Sequence, residues 1–260
     1  MHLFLDLLAI AIGLFSILWQ YRVWKPETII LVRHGESQGN VDWHAHETIP
    51  DHKIALTAKG RAQAAAAGVQ FLSILRGRKI GLYCSPFMRT RQTAQGILGV
   101  IPASQVAFVK EDLRLREQEW GHLRPYEEAL RIDAERDAYG ALYYRVPHGE
   151  SGCDTFDRAS GVLDTVYRDW RKMSFPKAAG FVIHGMTLRM VLVRFFHFSP
   201  EEFETMRNPH NCEIFTMTLK PRHAGDRIMA ALGIARNGKY VLDAPYPQKD
   251  ARVERALPPS

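Results

Sequence analysis

The stretch that decides the fold is ETIILVRHGESQGN, residues 27–40. Its first half is a continuous apolar run with the length of a strand buried on both faces. The run ends directly in Arg33, His34 and Gly35, so the strand carries a cation and an imidazole at its carboxyl end. Ligand crevices of open α/β sheets lie outside the carboxyl ends of their strands. The stretch therefore predicts a buried strand with a functional site at its end.

A second apolar run repeats this arrangement, because residues 180–183 lead into His184 and Gly185. Other apolar runs predict strands at residues 80–84, 106–109, 212–219 and 228–235. Helical patterns predict helices at residues 57–77, 85–97, 125–138, 155–173 and 186–196, with Thr57 and Ser85-Pro86 as N-terminal caps. Strands that alternate with helices predict an α/β fold, a layered α/β/α single domain with a largely parallel central sheet.

Length and composition limit the class of protein. The 260 residues fit one large domain, and 46% hydrophobic with 24% charged residues exclude a disordered or collagen-like chain. The three cysteines are far apart, which excludes a disulfide scaffold and CxxC zinc sites and suits a reducing compartment. The net charge of +6 fits nucleic acid, an anionic membrane or an anionic substrate, and does not choose among them.

The first 25 residues differ from the rest, because Leu7 to Trp19 reads LLAIAIGLFSILW without a charge. We predict an N-terminal hydrophobic helix over residues 1–25 that associates with a membrane through residues 3–24. Trp19, Tyr21 and Trp24 are expected to form an interfacial aromatic belt, and the cations that follow are expected to keep the main domain on the cytoplasmic side. The alternatives are an apolar helix packed on the domain or at a dimer contact, and a cleaved signal. Without an anchor the protein would be cytoplasmic. The domain is expected over residues 26–244, followed by a flexible tail over 245–260.

The two strand-terminal histidines, His34 and His184, are expected to form one cationic pocket with Arg33 and Arg89. Guanidinium groups pair bidentately with phosphate oxygens and stay charged at any working pH, so this pocket suits a phosphate dianion. Ser37 and Asn40 add a hydroxyl and an amide that bind anionic oxygens.

Several motifs occur together and in a fixed order: RHGES with Asn40, SPFMRTRQTA at 85–94, LREQEWG at 115–121, PHGES at 147–151 and the late HG at 184–185. In this order they resemble the histidine phosphatase superfamily, also called phosphoglycerate mutase-like. The segments TIPDHKIALTAKG, YYRVPHGES and NPHNCEIFTM further resemble its broad-range acid phosphatase branch. The resemblance extends from residue 28 to about residue 219.

The resemblance implies a role for each motif residue. His34 would attack phosphorus and become a phosphohistidine, while Arg33, Arg89 and His184 would hold the phosphoryl oxygens. Glu117 would protonate the leaving oxygen and then deprotonate water, with Glu119 as the fallback. Ser37, Asn40 and Gly185 are the further phosphate-binding positions that it implies. No metal ion and no cofactor are expected.

The sequence alone leaves the roles of several residues undecided. A helix turns by about 200° between Arg89 and Arg91, so only one faces the pocket, and the family pattern selects Arg89. Arg91 would then face solvent or a carboxylate. Glu150 and Ser151 either brace the fold or touch the substrate. Asn211 matches a family position and is otherwise a strand cap.

Two rival enzyme chemistries fail on spacing, and the sequence does not indicate nucleic-acid binding. The segment DWHAHETIPDH, residues 42–52, lacks the HxHxDH spacing of metallo-hydrolases and is read as a solvated lid loop near the substrate entrance. A cysteine-dependent phosphatase needs C-x5-R, and Cys84 to Arg89 has only four intervening residues, as does Cys153 to Arg158. The short RGRK run at 76–79 does not indicate nucleic-acid binding.

The sequence therefore predicts a metal-independent phosphomonoesterase that acts on a phosphorylated small molecule or a phosphoprotein. Selectivity is expected to depend on the segments 41–55 and 122–150. One alternative is a cofactor-dependent phosphoglycerate mutase, although EQEWGHLRPY and QGN depart from the mutase pattern. The other is a membrane-tethered module that binds or regulates phosphoproteins.

Overall fold

The computed structural model describes residues 23–121, 125–231 and 235–249, together with Asp6 and Gly13. Residues 1–22 of the predicted N-terminal hydrophobic helix, apart from Asp6 and Gly13, and the tail after residue 249 lie outside the described ranges. Residues 23–25, which the prediction also included, are not helical, because Trp24 forms an isolated bridge with Arg236. Within those ranges, no helix combines the length and the apolar character needed to cross a bilayer.

The centre of the molecule is one six-stranded sheet with the strand order β3-β2-β4-β1-β5-β6. The strands are β1 Thr28–Arg33, β2 Ile80–Cys84, β3 Val106–Glu111, β4 Ala178–Ile183, β5 Ile214–Lys220 and β6 Lys239–Leu242. Strands β1 to β4 run parallel, β5 is antiparallel to β1, and β6 is antiparallel to β5. This confirms the predicted α/β fold with a largely parallel sheet.

The helices mostly connect these strands. They are α1 Gln38–Val41, α2 Ala45–Thr48, α3 Ala58–Leu75, α4 Met88–Leu98, α5 Tyr126–Tyr139, α6 Gly152–Asp169, α7 Gly185–Phe196, α8 Pro200–Thr205 and α9 Ala224–Ala231. Short 3-10 turns lie at Asp51–Lys53, Ala103–Gln105 and Leu113–Leu115.

Two apolar layers enclose the sheet because side chains alternate between its faces. In β1, Ile29 and Leu31 join a core with α6 and α7, whereas Ile30 and Val32 join a core with α3 and α4. All four side chains are 0% exposed, which explains why the strand reads as a continuous apolar run. The sheet is thus held between two helical layers.

The strand predicted at residues 228–235 is wrong. Residues 228–231 belong to α9, and the last strand is β6, later in the chain. A short apolar run fits a helix and a strand equally well by periodicity, and methionine and alanine favour the helix. Here Asp226 in the first turn also favours the helix, because its carboxylate accepts the backbone N–H of Arg222.

Several predicted helix bounds shift. Helix α4 starts at Met88 with Phe87 as the N-cap residue, so Ser85-Pro86 lies outside it. Helix α6 ends at Asp169, four residues before the predicted end. At the start of the predicted tail, Tyr246 is buried and stacks on Phe215 with ring centroids 4.8 Å apart, so residues up to 249 are packed on the domain.

Candidate active site

The two strand-terminal histidines are neighbours because β1 and β4 are adjacent and parallel. Their register pairs Arg33 with Ile183, so the next residues, His34 and His184, leave the sheet side by side. The imidazole rings meet edge to face, with centroids 5.2 Å apart and an interplanar angle of 64°. The site therefore lies at the carboxyl edge of the parallel strands, as the sequence predicts.

One hydrogen bond defines the tautomer of His34. Its Nδ1 lies 2.7 Å from the carbonyl oxygen of Gly35. A carbonyl oxygen only accepts, so Nδ1 carries the proton and Nε2 keeps its lone pair. Burial, with the charges of Arg89 and Arg33, lowers the pKa of His34 well below its ordinary value. The imidazole is therefore neutral and presents one nucleophilic nitrogen.

His184 is held from the opposite side. Its Nε2 lies 2.8 Å from the hydroxyl of Ser85, and its buried Nδ1 has no hydrogen-bond partner among the described residues. Burial and the charge of Arg89 lower its pKa well below the ordinary value. The ring is fully buried beside His34 rather than along the cavity wall.

A cavity of about 470 Å³ opens in front of His34. Of the predicted site residues it is lined by Arg33, His34, Ser37, Asn40, Arg89 and Glu117. Gly185 is not on its wall. A Cβ atom at Gly185 would lie 2.1 Å from Oδ1 of Asn208, so a larger residue there would displace the Asn208 side chain.

Arg33 and the residues around it are held by hydrogen bonds within the chain. Its Nη1 donates to the carbonyl of Pro209 at 2.5 Å, whereas its buried Nε has no hydrogen-bond partner among the described residues. Ser37 donates through both N–H and Oγ to Oδ1 of Asn40, at 3.1 Å each. Asn211 donates to that oxygen and to the carbonyl of His34. Asn211 therefore braces the nucleophile loop.

Arg89 lies on the cavity wall, and its guanidinium is hydrogen-bonded to Asp51. The sequence assigns Asp51 no role beyond membership of the predicted lid loop. Arg89 donates to Asp51 through three bonds, at 2.7 Å to the carbonyl and at 2.8 and 3.1 Å to the two carboxylate oxygens. Asp51 also lies 3.8 Å from Nδ1 of His46, and both line the cavity. The Asp51 carboxylate thus binds both Nη1 and Nη2 of Arg89 at the cavity wall.

Glu117 rests on the amino end of α7. Its carboxylate accepts the backbone N–H groups of Met186 and Thr187, each at 3.2 Å. It also lines the cavity with His34. Its neighbour Glu119 is exposed and lines the cavity as well. The helix terminus therefore holds Glu117, and not Glu119, as the oriented carboxylate.

Glu150 and Ser151, whose roles in the PHGES motif the sequence leaves undecided, both make contacts that support the fold. Ser151 caps α6 and pairs with Asp154 in a capping box. Glu150 accepts from Arg158 at 2.6 and 2.8 Å and from Arg116 at 2.6 Å. Arg158 in turn donates to the carbonyl of Glu117 at 3.3 Å. Neither Glu150 nor Ser151 lines the cavity: Glu150 braces the Glu117 loop, whereas Ser151 caps α6.

We expect Glu150→Ala to lower the free energy of unfolding by about 3 kcal/mol, because it leaves the guanidinium of Arg158 buried without its carboxylate. The measurement is urea denaturation. The matched control is Glu111→Ala, which breaks the exposed pair with Arg91. That pair should contribute about 1 kcal/mol or less. Equal losses in both variants would contradict the bracing role.

The two buried neutral histidines make stability depend on pH. Below the ordinary value of 6.5 the unfolded chain binds protons at His34 and His184 that the folded chain excludes. The free energy of unfolding therefore falls as pH falls below 6.5, by up to about 1.4 kcal/mol per pH unit for each histidine. We expect His34→Gln to flatten this slope between about pH 5 and pH 7 in urea titrations. An unchanged slope would mean that His34 is protonated in the fold.

Arg91 pairs with Glu111 at the surface, which confirms that it faces a carboxylate and not the pocket. Burial raises the pKa of Cys84 and of Cys212 to about 12, so neither thiol is a nucleophile at neutral pH. Among residues 23–121, 125–231 and 235–249, no group of three His, Cys, Asp or Glu side chains is arranged to hold a metal ion.

Further side chains line the cavity although the sequence assigned them no role: Trp43, Trp120, Asp133, Arg136, Arg189, Asn208 and Lys249. The guanidinium of Arg136 lies 5.2 Å from the centre of the Trp120 ring, and burial raises the pKa of Asp133. Trp43, Asp133 and Arg136 belong to segments 41–55 and 122–150, which the sequence marks only as segments expected to control selectivity. The others reach the cavity from elements remote in sequence.

The comparisons with known proteins agree with this geometry. The family model of the histidine phosphatase superfamily (branch 1) matches residues 29–227. The chain is 39% identical over 206 residues to phosphoglycerate mutase-like protein AT74 of Arabidopsis thaliana, covering 75% of this chain and 65% of that relative. It is 25% identical to broad-range acid phosphatase DET1 of Saccharomyces cerevisiae, covering 75% of this chain and 86% of that relative.

Solved structures share the fold. Bacillus stearothermophilus YhfR superimposes with a TM-score of 0.61 at 20% identity, covering 83% of this chain and 95% of the other.

Proposed function

The chain belongs to the histidine phosphatase superfamily, and on this premise we propose that it is a phosphatase that hydrolyses phosphate monoesters through a phosphohistidine on His34, without a metal ion. The observation that carries the proposal is the Nδ1 contact of His34 with the Gly35 carbonyl at 2.7 Å. It leaves Nε2 with a lone pair in a cavity whose lining includes the guanidinium groups of Arg33 and Arg89. These permanent charges supply the positive field that a metal ion supplies elsewhere.

In the first step, Nε2 of His34 forms a bond to phosphorus while the bond from phosphorus to the ester oxygen breaks. The electron pair of that bond goes to the leaving oxygen, which takes a proton from Glu117. Arg33 and Arg89 hold the equatorial oxygens, together with Ser37 and Asn40. The buried His184 ring, 5.2 Å away, maintains the position of the nucleophile.

In the second step, Glu117 takes a proton from water, and the resulting hydroxide bonds to phosphorus. The bond between phosphorus and Nε2 breaks, which returns neutral His34 and releases inorganic phosphate. A single carboxyl group serves both steps because the first leaves it ionised. We propose small phosphorylated molecules as substrates, because a cavity of about 470 Å³ is the size that encloses such ligands.

The test is incubation of the full chain with an aryl phosphate and, separately, with 3-phosphoglycerate in the presence of 2,3-bisphosphoglycerate. The proposal expects inorganic phosphate from the aryl ester. Isomerised phosphoglycerate without phosphate release would instead establish the mutase alternative, since the phosphoryl group is then returned to the substrate. Binding of phosphoproteins without any release would favour the regulatory alternative.

The contact of Asp51 with Arg89 makes a separate prediction. We expect Asp51→Asn to tighten inhibition by inorganic phosphate about tenfold, because phosphate no longer displaces a bidentate carboxylate. The measurement is the inhibition constant in the aryl phosphate assay. The matched control is Asp42→Asn in the same segment, whose carboxylate accepts from the backbone of His44 instead. Weaker inhibition in the Asp51 variant would show that Asp51 positions Arg89 for phosphate.

We also propose that residues 3–24 attach the protein to a membrane with the domain on the cytoplasmic side. The support is the uncharged run from Leu7 to Trp19 and the cations that follow it. Membrane fractionation of cells that express the full chain tests this. Recovery of the full chain in the high-speed supernatant would contradict the proposal.

A further inference from the structure

A second cavity, of about 450 Å³, lies at the opposite edge of the sheet from His34. Its lining includes Lys25 before β1, Lys239 at the start of β6 and Arg222 just after β5. These three positions mark the amino ends of β1 and β6 and the carboxyl end of the antiparallel β5. The cavity therefore lies at the edge where the parallel strands begin, whereas the active site lies where they end.

The surface around this cavity is cationic. We define the basic face as Lys25, Arg171, Lys220, Arg222 and Lys239. All but Lys220 line the cavity. Lys220 is the direct cross-strand partner of Lys239 in the antiparallel pair of β5 and β6. Lys25 is half-buried, and burial together with the charge of Arg222 lowers its pKa.

Few acidic groups balance these charges. Asp226 pairs with Arg222 at 3.6 Å and contributes to the environment of Lys25. Arg171, Lys220 and Lys239 are exposed, and the described part of the chain gives none of them a carboxylate within ion-pair distance. Like charges directly opposite each other on paired strands are destabilising. A partner that carries negative charge would relieve the repulsion between Lys220 and Lys239.

Apolar groups accompany the cations. Val23, Tyr167, Phe195 and Tyr240 line the same cavity. Met173, two residues after Arg171, is 59% exposed, and Ile228 in α9 is 58% exposed. Exposed apolar side chains beside lysines and arginines are typical of surfaces that lie in a lipid headgroup region. A small dissolved anion would gain no binding energy from these apolar side chains.

The position of Val23 favours a bilayer as the partner. This residue is the first in the cavity wall, and it follows directly on the N-terminal segment with its uncharged run. Its backbone is tied to the domain, because Arg236 donates to the Val23 carbonyl at 2.9 Å. The apolar segment therefore joins the domain at the basic face and nowhere near the active site.

We propose that the basic face binds the headgroups of anionic phospholipids on a bilayer surface. This site is separate from attachment by residues 3–24, since it belongs to the folded domain and depends on charge. Bound in this way, the domain would turn its active-site cavity away from the bilayer. Its substrates would then arrive from solution rather than from the lipid surface.

The test is flotation of the full chain with vesicles of phosphatidylcholine alone and with vesicles that also contain phosphatidylserine, in low and in high salt. We expect stronger binding to the anionic vesicles, and high salt should remove the difference. Arg171→Glu combined with Lys239→Glu should weaken binding to anionic vesicles by about tenfold or more. The new carboxylate at 239 faces Lys220, an arrangement that favours folding.

The matched control reverses two exposed cations elsewhere, Arg61→Glu with Arg131→Glu, for the same change in net charge. Aryl phosphate hydrolysis by each variant checks that the fold is intact. Equal binding to neutral and anionic vesicles would overturn the proposal and leave residues 3–24 as the sole attachment. Equal losses in the test and control variants would overturn it too, because net charge and not this face would then govern binding.

Discussion

His34→Ala is expected to lower kcat for aryl phosphate hydrolysis by at least about 10⁴-fold, because the covalent route disappears with its nucleophile. Arg33, Arg89 and Glu117 stay in place in this variant. Phosphate would still bind, so inhibition of the residual activity or direct binding of phosphate should persist. Loss of turnover with retained binding separates loss of the nucleophile from collapse of the pocket.

The covalent intermediate can be sought directly. Rapid quenching of the wild-type enzyme with labelled substrate should trap a phosphoryl group that is stable in base and lost in acid, on the peptide that contains His34. His223→Ala is a suitable control, since this exposed histidine contacts Asp226 far from the cavity. Label on any other side chain, or turnover in His34→Ala near the wild-type rate, would end the proposed mechanism.

Glu117→Gln is the second substitution with a large expected effect, a loss of about 10²- to 10⁴-fold in kcat. The N–H groups of Met186 and Thr187 reach different carboxylate oxygens, and the single amide oxygen of glutamine can accept from one of them. The side chain should therefore keep one of its two contacts with the start of α7. What the variant lacks is the proton for the leaving oxygen and the base for water.

The leaving group provides the diagnostic measurement. An aryl oxide leaves readily without a proton, whereas an alkyl oxide needs one, so the loss in the first step should be much greater for alkyl phosphates. Single-turnover rates with both ester types measure that step. Glu119→Gln is the matched control and should show only a small loss. A larger loss in the Glu119 variant would move the proton-transfer role to that residue.

The contact between Asp51 and Arg89 offsets part of the positive charge of the site. In the described state, one of the two guanidinium groups expected to bind phosphate is already bound to a carboxylate of the same chain. The side chain of Arg89 is almost fully buried there, so an unpaired charge would be costly. Asp51 therefore supplies the compensating charge for this buried guanidinium, and the Asp51→Asn variant tests whether it also competes with phosphate.

Local sequence patterns predicted the central strands of the sheet and the pair of histidines at the centre of the site. The apolar run before Arg33 predicted β1, because a strand buried on both faces leaves no room for polar residues. The same pattern at β4 predicted that His34 and His184 would meet, since parallel strands end at the same edge. The helix at residues 224–231 was missed because eight residues of mixed character satisfy the periods of both a helix and a strand.

Only the tertiary structure decided which side chains share the pocket with these residues. Asp51 reaches Arg89 across 38 positions of sequence, and Met186 and Thr187 hold Glu117 across about 70. Pairings over such distances depend on how layers pack, and no local periodicity encodes them. The same holds for the basic face, whose five cations lie in four separate segments. The sequence alone determined the strands and the reactive side chains at their ends, because both depend on neighbouring residues. Which other side chains contact those groups depends on how the layers pack.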